Sequence, residues 1–212
     1  GHLLKKYPIS DPIQYGNHLA LRQKSWDQAF EREFLEYKKL HPRTKDSVIR
    51  ERILKQMNPR PTEEPFVGGE FWFTSKDPYS PTRRGNRIGN IGIPTHTDTS
   101  VQNALSHRRD WLSSGNNMFK LSMDCPDFTL IHEYGHALAY DYQMGIEGSK
   151  VLAYFNSLGG VGSEAIKSGL STYSATNLQE FVAEAFLEGF LPNPRPIGIA
   201  FHKLLKGILG GV

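Results

Sequence analysis

Cysteine is nearly absent: Cys125 is the one thiol in 212 residues. That excludes an intramolecular disulfide and any zinc site built mainly on thiolates. No run approaches the roughly 18 apolar residues that a membrane-spanning helix needs, and no basic start followed by an apolar stretch marks a leader. There are no repeats and no low-complexity tracts. Gly1-His2 without a methionine reads as the remnant of a cleaved tag, so the native N-terminus is expected to lie outside this sequence. The missing leader therefore does not argue against export. The compartment stays unassigned, with secretion or delivery to a target cell favoured.

What is there suits an ordinary soluble globular protein, with 38% hydrophobic and 22% charged residues, 20 glycines and 13 prolines. At roughly 100 to 200 residues per domain, the length admits one large domain, or a catalytic domain with a helical attachment. The net charge of +3 is uneven. Residues 1–60 hold 13 Lys+Arg against 7 Asp+Glu, while residues 116–212 hold 6 against 9. The basic residues of the first segment alternate with acids along what read as helices. Solvated helix faces explain them, and no nucleic acid partner is expected.

Trp26, Phe30, Phe34 and Tyr37, extended by Leu19 and Leu40, recur at helical spacing and predict a helix over 17–40. Val48, Ile49, Ile53 and Met57 predict a second, which Asn58-Pro59 ends. Pro59, Pro61 and Pro65 disfavour helix at the residues before them, which places a boundary there between regions 1–60 and 61–212. Beyond it, β-rich runs predict strands at 70–74, 88–93 and 118–123. Arg83, Arg84 and Arg87 fall in a turn that reads as a solvated hairpin loop, and Thr99 to Trp111 reads as a helix. Helical patterns return at 126–143, 149–158, 177–190 and 197–209.

His132-Glu133-Tyr134-Gly135-His136 carries the chemistry. A four-residue spacing puts both imidazoles on one helix face, where they can bind one metal ion, and zinc accepts neutral imidazole nitrogen. Glu133 projects beside them, placed to take a proton from water and hand it to a leaving amine. Chance accounts for about one such pentapeptide per hundred chains of this length, so the flanks decide. Thr129-Leu130-Ile131 and Ala137-Leu138-Ala139-Tyr140 make the helix apolar, and two unpaired histidines would be costly to bury there. Asp124-Cys125-Pro126-Asp127 supplies an N-cap and an early-helix proline. Cys125 itself reads as a small buried residue, and His96 as part of a surface turn.

A catalytic zinc takes three protein ligands. The next histidine after His136 is His202, too distant for the three-histidine pattern, and no Met-turn signature is visible. A glutamate from a later helix remains. Glu180 and Glu184 lie one turn apart in Asn177-Leu178-Gln179-Glu180-Phe181-Val182-Ala183-Glu184-Ala185-Phe186, so one can ligate while the other accepts the far N–H of a ligating histidine.

Tyr173 to Phe186, some 40 residues after the first motif, resembles the catalytic domain of anthrax lethal factor and its relatives, including the secreted Pro-Pro endopeptidases. The resemblance covers about 30 residues in two segments; residues 1–115 carry no match. It implies a zincin-like metallopeptidase with Glu180 as third zinc ligand and Tyr173 pointing at the site to stabilise an oxyanion. The chain is similar also to HExxH domains of phage-encoded and toxin-like proteins, which implies a toxin or effector.

The expectation is therefore an α+β protein with a small twisted sheet above an active-site helix and a helical C-terminal half. Residues 61–212 would form the catalytic domain and 1–60 an N-terminal helical region. His132, His136 and Glu180 hold Zn²⁺, Glu133 and Tyr173 act on the substrate, and Glu184 supports. The substrate is a protein or peptide, added to a sheet edge at Ile88–Ile93 or Phe119–Met123, and the protein is a monomer. Two readings compete: a binding or structural module with a vestigial zinc site, and hydrolysis of a non-peptide amide such as a cell-wall crosslink.

Overall fold

The computed structural model describes residues 5–9, 12–63, 69–75, 87–93, 128–143 and 146–209. Within them the chain is mixed α and β, seven helices with one three-stranded sheet. Strand β1 (Ile13–Asn17) runs into helix α1 (His18–Leu40), whose first turn is closed by Asn17 accepting from the Ala20 amide at 2.9 Å. After α2 (Asp46–Gln56) come β2 (Glu70–Ser75) and β3 (Arg87–Ile93). The C-terminal half holds α3 (Phe128–Gln143), α4 (Ile146–Ser157), α5 (Glu164–Gly169), a 3₁₀ turn at Tyr173–Ala175, α6 (Leu178–Glu188) and α7 (Pro196–Ile208).

The sheet order is β1-β3-β2, with β1 parallel and β2 antiparallel to β3. β3 is thus the middle strand, so Ile88–Ile93 is not the free edge that the sequence suggested. Buried Asn90 ties the three together: its Oδ1 accepts from Gln14 at 2.6 Å and its Nδ2 donates to the Trp72 carbonyl at 3.3 Å. The Trp72 indole lies across Gly92, where a Cβ would stand 2.7 Å from the ring.

The main core lies in the helical half. α6 is buried from Phe181 to Glu188, its apolar residues packed among the other helices and its acids held by polar partners. Phe181, Phe186, Phe201, Leu138 and Ile166 fill the space around it. Buried Glu188, one turn beyond Glu184, accepts from Arg195 at 2.5 Å, which satisfies a charge that would otherwise be costly. Residues from both sides of the proline-marked boundary share this packing. Tyr7 is 1% exposed, and its ring meets Phe186 edge-on with centroids 5.0 Å apart. The Tyr7 hydroxyl donates to Nδ1 of His202 at 2.9 Å, while Nε2–H of His202 donates to the Phe186 carbonyl at 2.7 Å.

A second, small core joins α1 to α2 through Phe30, Phe34, Ile49 and Ile53. Leu40, read from the sequence as the end of this stripe, is 73% exposed because the last residue of α1 projects past α2. No helix among the described residues is long and apolar enough to cross a membrane. The readings at Arg83, Arg84, His96, Thr99–Trp111, 118–123 and Cys125 fall outside the described residues.

Candidate metal centre

Two helices in direct contact build the site. α3 presents His132, Glu133 and His136, and α6 presents Glu180 and Glu184. They approach closely because Gly135 has no side chain: a Cβ there would lie 2.6 Å from the Ala183 Cα. His132 and His136 flank Gly135 on α3, three residues before it and one after, as Glu180 and Glu184 flank Ala183 on α6. Asn177 caps α6 by accepting from the Glu180 amide at 2.9 Å, which puts Glu180 in the first turn, where the helix favours negative charge.

Nε2 of His132 and Nε2 of His136 stand 3.1 Å apart, and Oε2 of Glu180 lies 3.5 Å from the first and 3.4 Å from the second. Ligand atoms of a tetrahedral ion bound at about 2.0–2.1 Å stand about 3.3–3.4 Å from each other, so this triangle has the right size for zinc. Glu180 Oε2 is buried without a hydrogen bond although it faces two ring nitrogens. A cation among the three atoms would satisfy it. The donor set of two imidazoles and a carboxylate suits the same ion.

Behind His132, Nδ1 lies 2.8 Å from Glu184 Oε1, a close ionic contact that is not aligned as a hydrogen bond. With an ion in the triangle, this contact would keep a proton on Nδ1 and turn Nε2 towards the ion. Burial opposes a charge on His132, yet Glu180 and Glu184 beside it outweigh burial and hold its pKa well above the ordinary histidine value. Burial works against the Glu180 carboxylate too, and there the two imidazoles overcome it and pull the pKa down to about 2.

Glu133 is 5% exposed, and burial raises its pKa against the pull of both imidazoles. The chain at Gly69 lies against it, since a Cβ there would stand 3.0 Å from Glu133 Oε1. The Tyr173 ring lies nearly parallel to that of His132, with centroids 6.2 Å apart. Burial, then a hydrogen bond to Glu180, raises the Tyr173 pKa far above that of a free phenol, so it remains a donor.

These groups open onto a cavity of about 410 Å³ lined also by Gly69, Glu70, Phe71, Tyr140, Asn177 and Gln179. A depression of about 450 Å³ along the outer face of α1, between Ala20 and Glu31, contains none of them. Glu70 on the rim is gripped from outside by His18 Nε2 at 2.7 Å and by Arg22, whose guanidinium lies 4.2 Å from the centre of the Trp72 ring. Burial opposes charge on Glu70, but the bonds from Arg22 and His18 prevail and lower its pKa.

Of the six residues singled out from the sequence, His132, Glu133, His136, Tyr173 and Glu180 line this one cavity, and Glu184 lies behind His132. Sequence reasoning missed Gly69 and Glu70, whose approach to Glu133 spans more than 60 positions and leaves no local pattern. No family model, curated protein or solved structure matches the chain.

Proposed function

We propose that this protein is a zinc-dependent endopeptidase of the HExxH-plus-glutamate type with a zincin-like arrangement of sheet and active-site helix. The observation that carries the reading is the triangle of two Nε2 atoms and one carboxylate oxygen, 3.1 to 3.5 Å on a side, with Glu133 and Tyr173 lining the same cavity. His132, His136 and Glu180 would hold the ion. Zinc bound there supplies a Lewis acid that polarises a carbonyl and acidifies water.

The remaining chemistry belongs to the chain. Glu133, buried and with its pKa raised by that burial, accepts the proton of the attacking water and passes it to the departing amine nitrogen. Tyr173 donates its phenolic proton in a hydrogen bond to the carbonyl oxygen as that oxygen becomes anionic, an interaction strongest at the transition state. Glu184 holds the His132 ring in one orientation. β2 pairs on one side only among the described residues, and its first two residues line the cavity. An extended peptide laid along it by main-chain hydrogen bonds would bring a scissile carbonyl over the site.

Incubating the zinc-loaded protein with a randomised peptide library, and reading new N-termini by mass spectrometry, tests this. Cleavage should occur with the parent and drop at least about 10²-fold with Glu133→Ala. Equal yields from both proteins, or no cleavage by the parent, would refute the peptidase reading.

A further inference from the structure

Ser171 and Ser174 are fully buried in the turn that leads into α6, and neither takes part in the chemistry above. They are bonded reciprocally. The Ser171 amide donates to Ser174 Oγ at 3.1 Å, the Ser174 amide donates to Ser171 Oγ at 3.0 Å, and the Ser174 hydroxyl donates to the Ser171 carbonyl at 2.7 Å. Closing the turn uses Ser171 Oγ only as an acceptor, so its own proton is left to go elsewhere. It goes to Glu184 Oε2, at 3.2 Å.

Glu184 is 1% exposed, and its one side-chain hydrogen bond comes from Ser171, which makes that bond costly to lose. Its other oxygen faces Nδ1 of His132 at 2.8 Å. The hydroxyl of Ser171 therefore sets the plane of the carboxylate that sets the plane of the His132 ring. Tyr173 lies between the two serines, on the 3₁₀ turn that they brace.

We infer that Ser171 is a positioning residue, which couples the turn carrying Tyr173 to the imidazole of His132 through the carboxylate of Glu184. This rests on the metal-site reading of His132, His136 and Glu180. A serine that merely closed the turn would need no bond to Glu184, since the Ser174 hydroxyl and the two amides already do that. Ser171 acts on both halves of the site at once. Its loss moves the His132 ring and frees the Tyr173 turn together.

Zinc affinity, measured by competition with a chromophoric chelator, tests the coupling apart from turnover. Ser171→Ala should weaken zinc binding about tenfold, at the lower end of the range for loss of an outer partner. Added to Glu184→Gln, it should weaken binding by less than about twofold more, because its route to the metal is already cut. Ser174→Ala keeps the Ser171 hydroxyl and should lower the melting temperature while zinc affinity stays within about twofold of the parent. If Ser171→Ala does not fold, Ser171→Cys, with a weaker donor of similar shape, takes its place with the same expected direction. In the zinc-loaded variants kcat should fall with KM nearly constant. Zinc affinity unchanged by the loss of the Ser171 hydroxyl, or losses that multiply fully in the double variant, would overturn the inference and leave the peptidase reading standing. A parent chain that binds no zinc would instead overturn the metal-site reading, and this inference with it.

Discussion

Replacing Gly135 by alanine tests whether the contact between α3 and α6 sets the spacing of the site. The new methyl carbon would stand 2.6, 3.2 and 3.3 Å from the Cα, O and C atoms of Ala183. All three belong to backbone, so no side chain can turn aside. Ordinary carbon contacts lie at about 3.5–4.0 Å, and the helices would have to separate by about 1 Å. Overpacking of this kind costs about 1–3 kcal/mol, against which alanine returns about 0.8–1 kcal/mol of helix preference. The net loss is about 0–2 kcal/mol, at about 2–4 °C of melting temperature per kcal/mol in a chain of this size. The effect on the metal should be larger. The same separation would stretch the 3.4 and 3.5 Å gaps between the histidines and Glu180 to about 4.4–4.5 Å, well beyond the roughly 3.4 Å that tetrahedral zinc bridges. We expect zinc affinity to fall by more than about 100-fold, exceeding the usual cost of losing an outer partner. Gly207→Ala, at a helical position with nothing within 4 Å, is the control and should leave zinc binding intact while stabilising the chain by about 0.4–1 kcal/mol. Chelator competition and thermal melts with and without zinc measure both quantities. A Gly135→Ala protein with undiminished zinc affinity would refute the reasoning.

Three other outcomes follow from the geometry. Glu180→Gln should nearly abolish zinc binding and Glu184→Gln weaken it about 10 to 100-fold; the opposite order in chelator competition would exchange their roles. Tyr173→Phe should leave zinc affinity and KM close to the parent and lower kcat by about 10² or more, and a comparable loss of metal would make it a structural residue. His202 titrates below its ordinary value because it is buried, with Lys6 and Lys206 adding to the effect against the Phe186 carbonyl. A depressed folded-state pKa means that its stabilising share is complete above the unfolded value of about 6.5 and is lost as the pH falls below it. The melting temperatures of the parent and of His202→Gln, compared from pH 8 to pH 5, should converge on acidification, and a constant gap would remove His202 from the acid response.

Long periodic segments were legible in the sequence. The stripe through Trp26, Phe30 and Phe34 foretold α1 to within a residue, and Leu178–Glu188 lies inside the helix read at 177–190. The site was legible because a four-residue spacing on a helix is itself geometry, so two histidines on one helix and two glutamates on another already have relative positions. What escaped depends on distant partners. β1 is five residues long with Tyr15 71% exposed, and it is a strand only because Gly89–Ile93 pairs with it. The six residues of α5 are too few to show a period. The purpose of Gly135 within the motif is visible only beside Ala183. Ser171 has nothing in its neighbours to mark it as buried.

The way Tyr7 and β1 are woven into the rest governs how the chain can be shortened. A fragment begun at Pro61, where the prolines invite a cut, would strip β1 from β3 and leave the backbone of Gly89 to Ile93 without partners along that side. It would also withdraw the Tyr7 ring from its place against Phe186, and with it the hydroxyl that orients His202. An uncovered strand beside an opened apolar core is a template for other copies of itself. Such a fragment would retain every residue of the proposed site and still be prone to aggregate, so a shortened chain must begin upstream of Tyr7.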